Sequence, residues 1–194
     1  AMLTEVPRQA AESPIVRMSL LARGGGRRAH GDYGASRVIR RDHDYVIARK
    51  GEVLPLAYDQ GAAPLKAIVG AREDASRAAG RVIPGATWPG SDIQAGLDLL
   101  ALIATRPWAN QVAAIDVSDY TSKRQLVLVT GSGGRIVWGG APTDTIPGQV
   151  AAEIRLKRLD VLQHQFGAID ARHRIVEVAG PRTLVDDSVS ANAS

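Results

Sequence analysis

Apolar and polar positions alternate most clearly in the C-terminal half of the chain. Residues 125–130 (QLVLVT) and 135–138 (RIVW) are aliphatic and β-branched runs on either side of Gly131-Ser132-Gly133-Gly134. Two such runs about a glycine turn predict a β-hairpin, because glycine reaches positive φ without a Cβ clash. Pro147-Gly148 then introduces a helix over residues 149–166, with Val150, Ile154, Leu159, Leu162 and Phe166 as its apolar stripe. Gly167 stands where a left-handed C-cap belongs. Burying five such side chains offers on the order of 8–15 kcal/mol before entropy is subtracted, so this helix must pack, most simply on the hairpin. Residues 174–179 (RIVEVA) form a further strand, bounded by Gly180-Pro181.

Upstream the pattern is weaker. Residues 1–14 carry Pro7 and Pro14 and read as a poorly ordered lead-in. Residues 15–21 (IVRMSLL) read as a short strand or a helical turn, and residues 24–34 as a basic, turn-rich loop. Tyr45-Val46-Ile47 is a strand; Arg49-Lys50-Gly51-Glu52 turns the chain, and Val53-Leu54 resumes before Pro55. Between residues 57 and 89, rich in Gly, Ala and Pro, residues 65–69 are the clear apolar segment, and Pro84-Gly85 and Pro89-Gly90 mark turns. A helix follows over residues 91–106. Ser91 is its expected N-cap, Gln94 completes a capping box, and Ile93, Leu97, Leu100, Ile103 and Ala104 recur at helical spacing until Pro107. Val112, Ala114 and Ile115-Asp116-Val117 read as a strand. These elements predict an α+β fold: a mixed or antiparallel sheet packed against two main amphipathic helices.

Composition adds limits. With 194 residues, 45% hydrophobic and 23% charged, the chain is long enough to bury a core, and with aromatics at 4% that core must be aliphatic. No cysteine is present, which removes disulfides and thiolate chemistry. The net charge of +4 is uneven: the first fifty residues hold ten Arg/Lys against five Asp/Glu, and the rest is nearly neutral. A basic N-terminal part suits anionic lipid, nucleic acid or plain solvent. Tyr33 and Tyr45 are its only aromatics, too few for base stacking, so no nucleic-acid partner is expected. No run approaches the ~20 apolar residues of a membrane-spanning helix, and the opening residues do not read as a signal peptide.

Candidate chemistry is sparse. The Gly131–Gly134 turn lacks the lysine and following helix of a phosphate-binding loop. Asp42-His43-Asp44 has metal-ligand residue types, but on a strand only Asp42 and Asp44 share a face, and no second cluster supports them. His30, His43, His164 and His173 show no zinc-protease spacing, and Asp116, Asp119, Asp160 and Asp170 are scattered. No nucleophile elbow occurs. No enzyme, cofactor or metal site is expected. Trp88, Trp108 and Trp138 read as core anchors, with one partner-facing as the alternative.

The order of hairpin, helix and strand, with Trp138-Gly139 ending the hairpin, a basic residue near Leu156-Lys157 and Ile169-Asp170-Ala171-Arg172-His173 opening the strand, resembles the C-terminal β domain of the bacterial cell-division family FtsQ/DivIB. Upstream, the strand–turn–strand of residues 45–54 and Leu65-Lys66-Ala67-Ile68-Val69-Gly70 look like that family's entry elements. His173 replaces an aromatic residue, Ala171 a leucine, and Ala67 stands where the family has proline. The resemblance spans residues 45–180. Three regions are expected: a basic region, 1–44, which lacks the usual signature of the preceding POTRA domain and on the resemblance is a truncated or divergent remnant of it or stands in its absence; a β domain, 45–182; and a small, polar, disordered tail, 183–194. The resemblance also implies a non-catalytic scaffold of the cell membrane, single-pass with this region periplasmic, which recruits FtsB- and FtsL-like coiled-coil proteins by adding a partner strand to an open sheet edge. By matching positions, Arg124, Arg172, His173, Ile175 and Glu177 would meet the partner. The other expectation is an anion-binding envelope or nucleic-acid-associated protein that uses the basic N-terminal region.

Overall fold

Residues opposite one another in paired strands face the same side of a sheet, so register decides which residues can share a core. The computed structural model describes residues 35–39, 43–59, 65–71, 83–88 and 90–186. Nine strands among them make one sheet: β1 (Ala35–Ile39), β2 (His43–Ala48), β3 (Val53–Asp59), β4 (Ala67–Val69), β5 (Val112–Asp116), β6 (Leu126–Thr130), β7 (Arg135–Gly139), β8 (Ile175–Glu177) and β9 (Leu184–Asp186). Their order is β3-β2-β1-β4-β5-β6-β7-β8-β9. The β1–β4, β4–β5 and β7–β8 pairs are parallel and the others antiparallel. Register aligns Tyr45, Val38, Ile68, Ile115, Leu128, Ile136, Val176 and Val185 as one row across eight strands. The six inner members are fully buried.

Two long helices cover that face. In α1 (Ser91–Ile103), Gly96 lies so close to the sheet that an added Cβ would sit 3.1 Å from Val117 and 3.4 Å from Ile68. The second long helix, α3 (Ala152–Phe166), lies over β7, where the Arg155 guanidinium stacks 5.4 Å from the centre of the Trp138 ring. Between them come a 3-10 turn (Ala109–Gln111) and the short helix α2 (Tyr120–Lys123). The α+β class, with a mixed sheet packed on helices, is therefore the one the sequence pattern predicts. Trp88, Trp108 and Trp138 are all buried in the core, and Trp108 Nε1 donates to Asp160 at 2.7 Å. Among the described residues no helix is long and apolar enough to cross a membrane.

Several local expectations change. Helix α1 begins one residue early: Ser91 is its first helical residue, Gly90 is the N-cap, and Gln94 Nε2 donates to Asp98 instead of closing a capping box. The buried stripe of α3 is Ala152, Arg155, Leu156, Leu159 and Leu162, while Ile154 is 45% exposed. That phase also fits helical spacing, but it places an arginine inside. Strand β3 runs through Pro55, which is tolerated because β3 is an edge strand, and the register slips there between Tyr45 and Ile47. Strand β9 occupies residues expected to be tail, and β1 and the start of β2 belong to the same sheet although they precede residue 45. The expected segment at 15–21, the basic loop at 24–34 and the tail beyond 186 lie outside the described residues.

Arg155 is 2% exposed, and no carboxylate pairs with it among the described residues. Its guanidinium instead donates to the carbonyls of Val150 (2.7 Å), Trp138 (3.1 Å) and Gly140 (3.2 Å) and to Gln149 Oε1 (3.2 Å). It thus closes the loop between β7 and α3, and burial lowers its pKa. Replacing it with leucine takes the guanidinium donor away from the buried Trp138 and Gly140 carbonyls. At about 1–3 kcal/mol for a buried group left unsatisfied, Arg155→Leu is expected to cost roughly 2–4 kcal/mol. Urea denaturation of the purified variant measures this.

Candidate functional site

A sheet of nine strands has two edges, and this one treats them differently. The start of β3 is covered: Val53 N–H donates to Ala86 O (2.8 Å), Gly85 N–H to Val53 O (2.7 Å) and Trp88 N–H to Gly51 O (2.7 Å). Covering an edge in this way blocks further strand pairing. At the other end β9 pairs with β8, and no described strand lies beyond it. Leu184 (58% exposed) and Asp186 face away from the helices, whereas Val185 packs on the core. Both ends of β8 are held. Past its C-terminal end, the Arg158 guanidinium donates to the carbonyls of Val178 (2.7 Å), Gly180 (2.5 Å) and Pro181 (2.8 Å).

The N-terminal end of β8 is fixed by Asp170, which is 2% exposed. Its Oδ2 accepts from Thr130 Oγ1 (2.8 Å) and Ser132 Oγ (2.7 Å), and its Oδ1 from the Arg172 N–H (3.1 Å). Gly134 N–H donates to Thr130 Oγ1 at 2.9 Å. A Cβ at Gly134 would stand 2.3 Å from Asp170 Oδ2, so the last glycine of the β6–β7 turn serves the carboxylate next to it. The following residues, Ala171 (φ 48°), Arg172 (φ 67°) and His173 (φ 71°), are all left-handed. Such a conformation costs a non-glycine residue roughly 1–2 kcal/mol, and three in succession persist only where the surroundings impose them. Ala171 is buried, while Arg172 and His173 are exposed on the turn. The His173 ring lies 3.1 Å from Ser132 O through Nδ1.

The residues expected at a partner surface are thus only partly gathered. Arg172 and His173 are adjacent and displayed. Ile175 and Glu177 lie on the face away from the helices, but β8 is an interior strand with β9 beyond it. A strand added at the edge would meet Leu184, Val185 and Asp186 first. Arg124 sits elsewhere. It caps α2 with φ 53°, stacks 5.0 Å over the Tyr120 ring and precedes Leu126, which pairs with Gly139. Since Arg135, at the other end of β7, is the residue opposite Ile175, Arg124 and Arg172 lie at opposite ends of these strands. Residues 184–186 were missed because three residues after Gly180-Pro181 carry too little alternation to announce a strand.

No cluster of three metal-ligating side chains occurs among the described residues, where Asp44 is buried in β2 and Asp42 is not included. An open groove of about 760 Å³ between the β2–β3 turn and α1 is lined by Arg49, Lys50, Gln94 and Asp98 and holds a single carboxylate.

Burial alone would push the Asp170 carboxyl up, but the Ser132 and Thr130 hydroxyls, and then His173, outweigh it and hold the pKa below the usual range. A carboxylate depressed on folding contributes stability that is present above its unfolded value, about 3.9. That contribution is lost as pH falls through the folded value. Asp170→Asn is expected to flatten this acid limb of the stability–pH curve, and Gly134→Ala, which forces the carboxylate aside, to cost about 1–3 kcal/mol. Thermal melts between pH 2 and 7 measure both. No family model matches this chain, and no significantly similar curated protein or solved structure is found.

Proposed function

We propose that this chain is the β-domain region of an FtsQ/DivIB-like cell-division protein, a non-catalytic scaffold that takes a strand from a coiled-coil partner of the FtsB or FtsL kind. The observation that carries the reading is the outer side of β9, beyond which no described strand lies, close to the displayed Arg172-His173 turn. An edge strand offers a row of N–H and C=O groups, and main-chain pairing supplies affinity without catalysis. Leu184 and Asp186 on one face and Val185 on the other give an incoming strand alternate apolar and polar neighbours.

Charge selects the partner. Arg172 is exposed, its Nε reaching only the Phe166 carbonyl at 3.4 Å, and no described carboxylate lies within ion-pair distance of it. With His173 beside it, the turn favours an acidic flank on the incoming segment, which both steers encounter and fixes the direction of the added strand. The parent protein, on this reading, has one membrane span and holds this region on the periplasmic side.

The test is binding of the extracytoplasmic part of the FtsB-like protein from the same genome. Arg172→Glu combined with His173→Ala is expected to weaken it at least about tenfold, ~1.4 kcal/mol. The melting temperature should change little, because both side chains are exposed. Unchanged affinity in the Arg172–His173 variant, read by titration calorimetry, would overturn the assignment of the surface.

A further inference from the structure

We propose that Asp170, together with the Thr130 hydroxyl, is a positioning residue for partner recognition: it holds Arg172 and His173 in the left-handed turn from which they are displayed. The inference rests on the scaffold reading above and goes beyond it, because neither Asp170 nor Thr130 is open to a partner; they are 2% and 4% exposed. Thr130 and Ser132 lie in and just after β6, two strands in from β8, whereas Arg172 and His173 lie in the segment that leads into β8. The carboxylate is the link between them. Oδ2 takes the single hydroxyl proton of each of Thr130 and Ser132, and Oδ1 takes the Arg172 N–H. The Asp170 carbonyl accepts from Arg174 N–H at 2.9 Å, which closes the turn around its two displayed residues.

Three non-glycine residues in the left-handed region would not stay there in a free loop. Chain extended at 171–173 would aim Arg172 and His173 elsewhere, and affinity that depends on their placement would fall. The fixed carboxylate removes that reorganisation from the binding step, which is how preorganisation raises affinity. Two of the three donors, Thr130 and Ser132, come from a hairpin about forty residues away, so the arrangement is set by the fold as well as by the local sequence.

Binding of the same FtsB-like segment tests this with Thr130→Val, which keeps the shape and removes the hydroxyl, with Asp170→Asn, and with Thr130→Ser, which keeps the hydroxyl. Leu162→Ala serves as a core control that lowers stability without touching the turn. All are measured well below their melting temperatures, with amide resonances of Ala171, Arg172 and His173 followed by NMR. The expected result is a loss of about fivefold or more in affinity for Thr130→Val and Asp170→Asn, with shifts at those three amides, while Thr130→Ser and Leu162→Ala bind like the wild type. If Arg172→Glu weakens binding but Thr130→Val and Asp170→Asn do not, the positioning role is overturned and the scaffold reading stands. Loss in Leu162→Ala equal to that in Asp170→Asn also overturns it. If the wild-type chain does not bind, both fall together.

Discussion

One apolar row decides where everything else in this molecule goes. From Tyr45 through Val38, Ile68, Ile115, Leu128, Ile136 and Val176 to Val185, the strands are registered so that a single face stays dry. Slipping any strand by one residue would turn its buried members to the other face. Helices α1 and α3 both have to lie on this face, and the opposite face carries mixed residues such as Asp116, which pairs with Arg135 at 2.9 Å. The edge that we assign to partner binding is the place where this row ends, at Val185.

What lies beyond the row is held by polar contacts of high cost if broken. Arg155 bonds to four oxygens from inside the core, Arg158 clasps the segment after β8, and Asp170 ties the turn before it to the β6–β7 hairpin. Strand β8 is three residues long and could not hold its place by pairing alone. Its two fixed ends make a short strand into a rigid platform for β9. Rigidity at the platform and exposure at the outermost strand are the combination that strand addition requires.

Much of this was legible in the sequence, for physical reasons that differ by element. The 126–139 hairpin declared itself through β-branched runs about a glycine turn, and Gly167 marked the end of α3 as an amide donor to Gln163 O at 2.9 Å. The phase of α3 was not legible, because a buried arginine looks polar to any count of apolar residues. Strand β3 was cut short at Pro55, since only its edge position makes proline acceptable there. The site was the least legible part. Asp170 looked like one of several scattered carboxylates, and its partners Thr130 and Ser132 are about forty residues away in sequence. Nothing in Ala171-Arg172-His173 announces a left-handed turn, a conformation usually left to glycine or asparagine. Arg124 matched a motif by position alone, and the register carries it to the other end of the strands.

Pairing of a partner strand with β9 would be read directly by backbone hydrogen exchange. With the FtsB-like segment bound, exchange is expected to slow at amides within residues 184–186 and in the Arg172-His173 turn, with little change along β3. Protection confined to β3 or to the groove beside α1, with β9 exchanging as fast as in the free chain, would contradict that pairing.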